Sequence, residues 1–323
     1  MLYRLLKFPA QIALPFYCKK LQINHPEFLH FKGPLLIAAN HPNSFLDAIV
    51  LASVFQHPIH SLVRGDVYIN KFYSSLLNSL NMLPVYRISE GAENLNANYD
   101  TFERCKQVFK DNGIVLIFSE GRCINEWKLR PLKKGTARLA MSAWEANIPL
   151  QILPVGINFS SFKSFGKIIH INFGKPFGSE VFQNETAGRA IGLFNHQLEQ
   201  ELLQQVYKIE EKDTSTIKET FNYHISPSSK ILLVFPAVIG WLITAPLYYP
   251  LRCITKRKWN NDHFDSIMVA GIFVGFPIYV LLITIIMFFA FHSWWILLFP
   301  FFAIIGAKSL LSFTFTKWYH QKN

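Results

Sequence analysis

Charged residues are scarce in this chain of 323 residues: Asp, Glu, Lys and Arg make up 16%, while 50% of the residues are hydrophobic and 15% are aromatic. Soluble domains usually carry about 25% charged residues, so part of this apolar surface is expected to lie in lipid. The four cysteines are scattered without paired spacing, which argues against a disulfide framework and favours free thiols. Zinc-ligand spacings, heptads behind a basic region and patterned stacking aromatics are also missing, so we expect no bound metal and no nucleic-acid partner.

The charge that is present is mostly positive. Lys and Arg outnumber Asp and Glu by 32 to 21, which gives a net charge of +11. An excess of this size favours an anionic partner, either a membrane surface or a phosphorylated substrate.

Residues 1–25 place basic side chains around an apolar body that Pro9 and Pro15 interrupt. This body is too short and too broken to span a bilayer. A signal peptide is the competing interpretation, but Lys19 and Lys20 stand where a small-residue cleavage site would be needed. We therefore predict a segment that lies in the membrane interface.

Residues 26–212 alternate between short apolar runs typical of buried strands and longer stretches with helical spacing. The predicted helices cover 44–55, 70–81, 92–112, 134–146 and 187–212. Alternation of this kind predicts an α/β domain with a mixed sheet flanked by helices. The polar segment 213–229 that follows is typical of a linker.

Residues 230–316 form an apolar region. The stretches 231–250 and 266–291 contain no charged residue, and a further apolar run begins after His292. At about 1.5 Å per residue, the second stretch is long enough to cross a bilayer. We predict transmembrane helices at 266–290 and 293–313.

The stretch 231–250 raises a question of topology. The basic loop that follows it, RCITKRKWNND, is expected to stay cytoplasmic, and so is the basic domain before it. A single crossing would put the two on opposite sides. Because three prolines and Gly240 can break a helix here, we predict that 231–250 enters the membrane and returns or lies in the interface, with spanning as the alternative. The two later helices then cross outward and back, which leaves Lys317 and Lys322 inside.

His41 and Asp47 stand in AANHPNSFLDAIVLA, a polar interruption of an apolar stretch. Six residues rotate a continuous helix by roughly 600°, so one helix would point the two side chains apart. Pro42 disfavours helical backbone at His41, which places His41 in a turn after a strand. Asn43 or Ser44 can cap the next helix, and Asp47 in its first turn can reach back to the imidazole. Such a pair forms a general base for an alcohol; a capping Asp beside a turn His in a structural loop is the alternative.

A second polar cluster, FSEGRC, closes another apolar run. Gly121 allows a tight turn between Glu120 and Arg122, at the kind of strand end where α/β proteins bind ligands. Arg122 offers a planar fork for phosphate, and Arg64 and Arg87 end two other predicted strands. Three arginines at strand ends predict one anion-binding pocket; a solvated basic loop is the alternative for FSEGRC taken alone. The nucleophile elbow GxSxG is missing, which favours direct attack by a substrate hydroxyl over an acyl-enzyme.

Together these blocks resemble the glycerolipid acyltransferase family, which includes lysophosphatidate and glycerol-3-phosphate acyltransferases. The resemblance covers about residues 30–210 and rests on four blocks in order: the His–Asp pair of NHPNSFLD, the arginine of MLPVYR, the Glu-Gly core of FSEGRC and the strand ILPVGI. The chain departs from the family pattern in having five residues between His and Asp, where four are usual. Its third block also has serine in place of proline and lacks the threonine before the arginine.

The resemblance implies a membrane-bound O-acyltransferase of phospholipid biosynthesis. His41 and Asp47 would act as the base, Arg64, Arg87 and Arg122 would hold the acceptor phosphate, Glu120 would shape the site or bind glycerol hydroxyl groups, and Gly121 would form its turn. The implied partners are membrane lipids, an acyl-CoA or acyl carrier protein thioester as co-substrate, and a phosphorylated glycerol acceptor, with no other cofactor.

Lysophosphatidate is the favoured acceptor, and glycerol 3-phosphate or another lyso- or amino-lipid is the alternative. The implied location is a bacterial inner membrane with the catalytic domain on the cytoplasmic side. Two alternatives remain beside the transferase: a non-catalytic membrane-anchored lipid-binding protein, which has no need for both members of the dyad, and a hydrolase that uses water at the same dyad.

Overall fold

A computed structural model describes residues 2–86, 96–182, 185–210 and 212–313. Within these ranges one sheet is formed by the strands β1 (Cys18–Ile23), β2 (Leu35–Ala39), β3 (Ile59–Arg64), β4 (Met82–Val85), β5 (Ile114–Phe118), β6 (Gln151–Phe159) and β7 (Lys167–Phe173). The helices of the same part of the chain are α1 (Leu2–Tyr17), α2 (Phe45–Val54), α3 (Lys71–Ser79), α4 (Asn96–Lys110), α5 (Gly135–Glu145), α6 (Ala187–Gln205), α7 (Thr214–Thr220), α8 (Pro227–Lys258), α9 (Phe264–Phe291) and α10 (Phe299–Phe313).

The sheet has the strand order β1-β7-β6-β2-β5-β3-β4. All neighbouring strands run parallel except β6 and β7, which pair antiparallel. Parallel neighbours need crossover connections, and helices supply several of them. The predicted fold class, a mixed α/β sheet flanked by helices and followed by apolar C-terminal helices, is confirmed.

Strand β2 lies at the centre of this sheet, and all five of its residues are fully buried. Successive side chains of a strand point to opposite faces. Leu35 and Ile37 therefore pack with α2 on one face, while Leu36 and Ala38 pack with α4, α5 and α6 on the other. Burial on both faces explains why the sequence of β2 is continuously apolar rather than alternating.

Two segments differ from their predicted structure. The sequence places residues 18–23 within the predicted interface segment, but they form the edge strand β1, where Leu21 lies opposite Ile169 of β7. Part of the predicted linker forms α7, whose Ile217 is fully buried against Ile168. Both segments are amphiphilic, and each adopts regular structure because its apolar side chains pack against the α/β domain.

The helices α8, α9 and the segment Trp294–Phe313 are each long and apolar enough to cross a membrane. The expectation that prolines break the first of them is wrong, because α8 runs continuously for 32 residues, about 48 Å at 1.5 Å per residue. A turn back within 231–250 is therefore not formed, and the basic residues predicted to lie in a loop occupy the last turns of α8. Apolar helices tolerate proline when neighbouring groups satisfy the freed backbone carbonyls. The direction of each crossing stays a prediction, and Lys317 and Lys322 lie outside the described residues.

Close backbone packing joins α8 to α10. A side chain added at Gly240 would place its Cβ only 2.1 Å from the carbonyl oxygen of Gly306. Small residues permit this approach between apolar helices. Helix α10 also contacts α1, where Lys308 Nζ donates to the carbonyl oxygen of Pro15 at 2.5 Å. The C-terminal helices are thereby held against the face of the sheet that carries α1 and α2.

Candidate active site

His41 and Asp47 meet where β2 turns into α2. His41 lies in the turn and Asp47 in the first turn of the helix, and His41 Nδ1 is 2.8 Å from Asp47 Oδ2. The Asp47 side chain is fully buried, whereas 18% of the His41 side chain is exposed. This is the local geometry that the proline after His41 predicts.

The imidazole of His41 is held from two directions. Phe118, the last residue of β5, stacks on it with the ring centroids 3.9 Å apart and the planes 8° apart. An ionised Asp47 accepts the Nδ1 proton, which leaves Nε2 as the basic nitrogen. The His41 side chain lines a large cleft, so a hydroxyl group in that cleft can approach the imidazole.

The Asp47 carboxylate organises the turn as well as the imidazole. Its Oδ2 also accepts the backbone N–H of Asn43 at 2.8 Å. Burial raises the pKa of Asp47 above its ordinary value, and the hydrogen bonds from His41 and from the Asn43 amide oppose that shift.

Ser44 precedes α2 but does not cap it with its side chain, contrary to one of the two predicted caps. Its φ of 54° puts it in the left-handed region, and its Oγ lies 2.6 Å from His263 Nδ1. The N–H of Ser44 donates to Cys123 Sγ at 2.9 Å. The side chain is thus used for a contact with the C-terminal region rather than for the helix.

Glu120 is buried and accepts two backbone hydrogen bonds. The N–H of His41 donates to Oε2 and the N–H of Arg130 donates to Oε1, each at 2.9 Å. Burial raises the pKa of Glu120, and these two bonds oppose the rise. Of the two roles considered for Glu120, this geometry favours shaping of the site over binding of glycerol hydroxyl groups, because both oxygens are already engaged.

The residue after Glu120 makes the turn that the sequence predicts. Gly121 has a φ of +65°, and a Cβ there would lie 3.0 Å from Lys133 Cγ. A side chain at this position would therefore meet both backbone strain and a close neighbour. The turn presents Arg122, which is exposed and lines the same cleft as His41.

The other predicted arginines are placed differently. Arg64 lines the cleft, but its guanidinium is bound to the Asp66 carboxylate through both Nε and Nη2. Arg87 lies outside the described residues. Lys133 and Lys134, at the start of α5, add positive charge to the cleft wall next to Arg122.

The cleft has a volume of about 3730 Å³ and lies between the α/β domain and the C-terminal helices. Ordinary ligand pockets occupy about 300–1,000 Å³, so this cleft has room for a molecule with long apolar chains. Phe45 and Ile49 of α2 line one side, and Trp241 of α8 and Phe273 of α9 line another. Among the described residues, no three His, Cys, Asp or Glu side chains converge to hold a metal ion.

The site predicted from the sequence omits the contribution of residues 262–265, which lie just before α9 and in its first turn. Asp262 Oδ1 accepts the N–H of Asn125 at 3.0 Å, His263 contacts Ser44, and Asp265 accepts from Asn43 Nδ2 at 2.8 Å. A signal was present, because polar residues are concentrated in NNDHFDS between two apolar runs. Their partners, however, lie more than a hundred residues away in the chain.

Comparison with known proteins gives two similarities. Residues 20–158 match the family model described as Acyltransferase. Among solved structures, the chain is similar to the crystal structure of the 1-acyl-sn-glycerophosphate (LPA) acyltransferase PlsC from Thermotoga maritima, with 12% identity and a TM-score of 0.46 over 69% of this chain and 81% of that one. A search of curated proteins found no match.

Proposed function

We propose that this chain, of which residues 20–158 match the family model described as Acyltransferase, is a membrane-bound O-acyltransferase that transfers a fatty acyl group from a thioester to the free hydroxyl of lysophosphatidate. The main support for this proposal is the His41–Asp47 pair at 2.8 Å, in which Asp47 is buried and the His41 side chain lines a large and mainly apolar cleft.

In the proposed reaction His41 Nε2 takes the proton of the acceptor hydroxyl. The hydroxyl oxygen then attacks the thioester carbonyl, and the carbon–sulfur bond breaks to give the new ester. The leaving sulfur takes the proton back from the imidazolium and departs as a free thiol. Asp47 stabilises the imidazolium while it exists and keeps the ring in the orientation that leaves Nε2 basic.

Direct attack is favoured over an acyl-enzyme by the protonation of Cys123, a thiol that contacts the chain between His41 and Asp47. Burial raises the pKa of Cys123 well above its ordinary value, and its sulfur accepts the Ser44 N–H. A thiol needs its thiolate form to act as a nucleophile, so Cys123 is poorly suited to carry an acyl group.

The shape and charge of the cleft support lysophosphatidate as the acceptor. Arg122, Lys133 and Lys134 supply positive charge for its phosphate, and the amide groups that open α5 can bind the same anion. The apolar walls can take up both its acyl chain and that of the donor. Glycerol 3-phosphate has the phosphate but no chain for these walls.

Membrane attachment is proposed through α1 and the C-terminal helices. On α1, Leu5, Phe8 and Ile12 expose their side chains, as expected of a helix in the interface. The start of α9 contacts the turn between β2 and α2 that carries His41. In this proposal the α/β domain and the basic end of α8 therefore lie on the same side of the membrane. By the positive-inside rule that side is cytoplasmic, at the inner membrane of a bacterium.

The decisive experiment is an acyl-transfer assay with the full chain in lipid. A labelled acyl thioester is offered with lysophosphatidate, with glycerol 3-phosphate, with other lyso-lipids and with no acceptor, and the products are separated by lipid chromatography. We expect labelled phosphatidate from lysophosphatidate. Label that moves only to another acceptor would contradict the proposed substrate, and free fatty acid formed without acceptor would indicate a hydrolase.

Two variants make the assay specific for the dyad. His41→Ala should lower turnover by at least about 100-fold, the smaller end of the range for general-base catalysis. His25→Ala, at an exposed histidine paired with Glu27, serves as the control and should leave turnover unchanged. A folded His41→Ala protein with wild-type turnover would overturn the mechanism.

A further inference from the structure

Asp265, on the first turn of α9, is the centre of a buried polar cluster. Its Oδ2 accepts from Tyr17 Oη at 2.6 Å and from Asn43 Nδ2 at 2.8 Å, and Lys167 Nζ donates to the same oxygen. Asn43 Nδ2 also lies 3.0 Å from Tyr17 Oη. Asp265 and Lys167 are each only 1% exposed, so the cluster is shielded from water.

The protonation states of this cluster follow from its burial. Desolvation, with the Asp265 carboxylate as the second cause, raises the pKa of Tyr17, so its hydroxyl remains a donor. Desolvation lowers the pKa of Lys167, and the same carboxylate opposes that shift by stabilising the ammonium. Tyr17 of α1, Lys167 of β7 and Asn43 of the turn between β2 and α2 thus all donate to one oxygen of Asp265.

Stability alone is a poor explanation for such a cluster. A buried ion pair often adds little to stability, because desolvation of both charges offsets their attraction. An apolar contact would dock the start of α9 as well, and Phe264 and Met268 on either side of Asp265 are buried in that way. A polar cluster does what an apolar contact cannot: it specifies where individual donors point.

The donor that matters is Asn43, since it connects Asp265 to the dyad. Its side chain donates to Asp265, while its backbone N–H donates to Asp47 Oδ2 at 2.8 Å, the oxygen that also binds His41 Nδ1. Ser266 Oγ donates to the carbonyl oxygen of Asn43 at 3.3 Å. Asn43 is therefore held from the side of α9 and in turn holds the catalytic carboxylate.

We propose that Asp265 is a positioning residue for the His41–Asp47 dyad, acting through Asn43, and that the start of α9 is accordingly part of the catalytic unit. The inference rests on the proposed function in taking His41 as the base. Its consequence is that correct geometry at the dyad depends on α9 being docked against the turn between β2 and α2.

Two double variants test this role with the charge pair removed from both. Lys167→Met/Asp265→Asn keeps an oxygen that can accept from Asn43 and Tyr17. In Lys167→Met/Asp265→Leu, the side chain at residue 265 has the same number of heavy atoms as Asn but offers no hydrogen-bond acceptor. Each is purified as the full chain in lipid, and kcat, the KM values for both substrates and the thermal unfolding midpoint are measured.

We expect the Asn variant to keep kcat within about tenfold of wild type. The Leu variant should lose about 100-fold in kcat with both KM values unchanged, the size of effect expected when reacting groups are misplaced by about 1 Å. Removal of the ion pair is often neutral or stabilising, but Tyr17 Oη and Asn43 Nδ2 lose a buried acceptor, which is destabilising. The unfolding midpoint of the Leu variant should therefore fall moderately below that of the Asn variant while the protein stays folded. Activity would then be lost without loss of the fold.

A matched control separates positioning from general destabilisation. Ile217→Ala empties a fully buried site on α7, among Ile168, Ile209 and Phe221, and should lower the unfolding midpoint without lowering kcat. Equal kcat in the Leu and Asn variants would overturn the proposal. If the Leu variant fails to fold, Lys167→Met/Asp265→Ala takes its place, with the same expected loss of kcat.

Failure of the proposed function is distinguishable from failure of this inference. If the wild-type protein acylates a different lyso-lipid, or hydrolyses the thioester, the proposed acceptor or reaction is wrong. The comparison of the two variants is then made on that reaction, and the ratio of their kcat values still decides whether Asp265 positions the dyad.

Discussion

Replacement of Asp47 by Asn tests the dyad with the smallest change in shape. In the native site one carboxylate oxygen accepts from both His41 Nδ1 and the Asn43 amide, each at 2.8 Å. An Asn oxygen can accept the same bonds, but it provides no negative charge for the imidazolium. If instead its NH₂ group faces His41, the ring must carry its proton on Nε2 and is no longer a base.

Either arrangement predicts a large loss of activity. General-base catalysis contributes about 10²–10⁴-fold, which corresponds to about 2.7–5.4 kcal/mol of transition-state stabilisation. Stability should change little. The other oxygen, Asp47 Oδ1, is buried without a hydrogen-bond partner among the described residues, so the native carboxylate is already costly. We expect the free energy of unfolding to stay within about 1 kcal/mol of wild type.

The assay measures release of free thiol from the acyl thioester at saturating acceptor, with thermal unfolding followed in parallel. Asp213→Asn is the matched control, since it makes the same change at the N-cap of α7, where Asp213 Oδ1 accepts the Thr216 N–H. The control should keep wild-type kcat. A folded Asp47→Asn protein with kcat within about tenfold of wild type would show that Asp47 only supports the turn, and its role in the dyad would be refuted.

Three further predictions follow from the same site and from the helix packing. Glu120→Gln should lower the free energy of unfolding by about 1.5–3 kcal/mol, because one of two backbone hydrogen bonds to a charged acceptor is lost. The kcat should also fall, because His41 shifts when its backbone N–H loses this partner. Thermal unfolding and kcat are measured together, and an unchanged kcat would contradict the prediction. Because burial raises the pKa of Asp47 and of Glu120, activity should decline on the acid side at a pH above the usual carboxyl value of about 4. A carboxyl group with a raised pKa binds its proton more tightly in the folded protein than in the unfolded chain. The contribution of Asp47 and Glu120 to stability should therefore rise as the pH falls through their raised pKa values. If kcat and the thermal unfolding midpoint instead decline together as the pH falls, the raised pKa values are contradicted. Gly306→Leu should separate α10 from α8 at Gly240 and lower the unfolding midpoint of the protein in lipid, and an unchanged midpoint would show that the two helices do not need this close approach.

Much of the α/β domain could be predicted because its signals are local. Apolar runs and helical spacing depend on neighbouring residues, and the predicted helix at 44–55 corresponds to the observed α2 at Phe45–Val54. Segments whose structure depends on a distant surface were predicted wrongly. The strand β1 forms only by pairing with β7, and α8 remains continuous only if neighbouring groups satisfy the backbone carbonyls that its three prolines leave free.

The same distinction between local and distant contacts applies to the candidate site. His41 and Asp47 could be found together because only a turn and one helical turn separate them. Glu120 could be found from its motif, but its bond to the His41 amide connects residues 79 positions apart, and its two acceptor bonds could not be foreseen. Arg64 was expected to be available for an anion, whereas Asp66, two residues on, binds its guanidinium.

By itself the sequence determined the class of fold, the apolar C-terminal region and the pairing of an imidazole with a carboxylate, because each of these follows from composition or from contacts within a few residues. Only the tertiary structure decided what surrounds that pair. Asp265 lies 222 positions from Asn43 in the chain, and their contact exists only because α9 docks against the turn between β2 and α2. The physical reason is that backbone geometry links near neighbours directly, whereas side chains from distant elements meet only after the sheet and helices have packed.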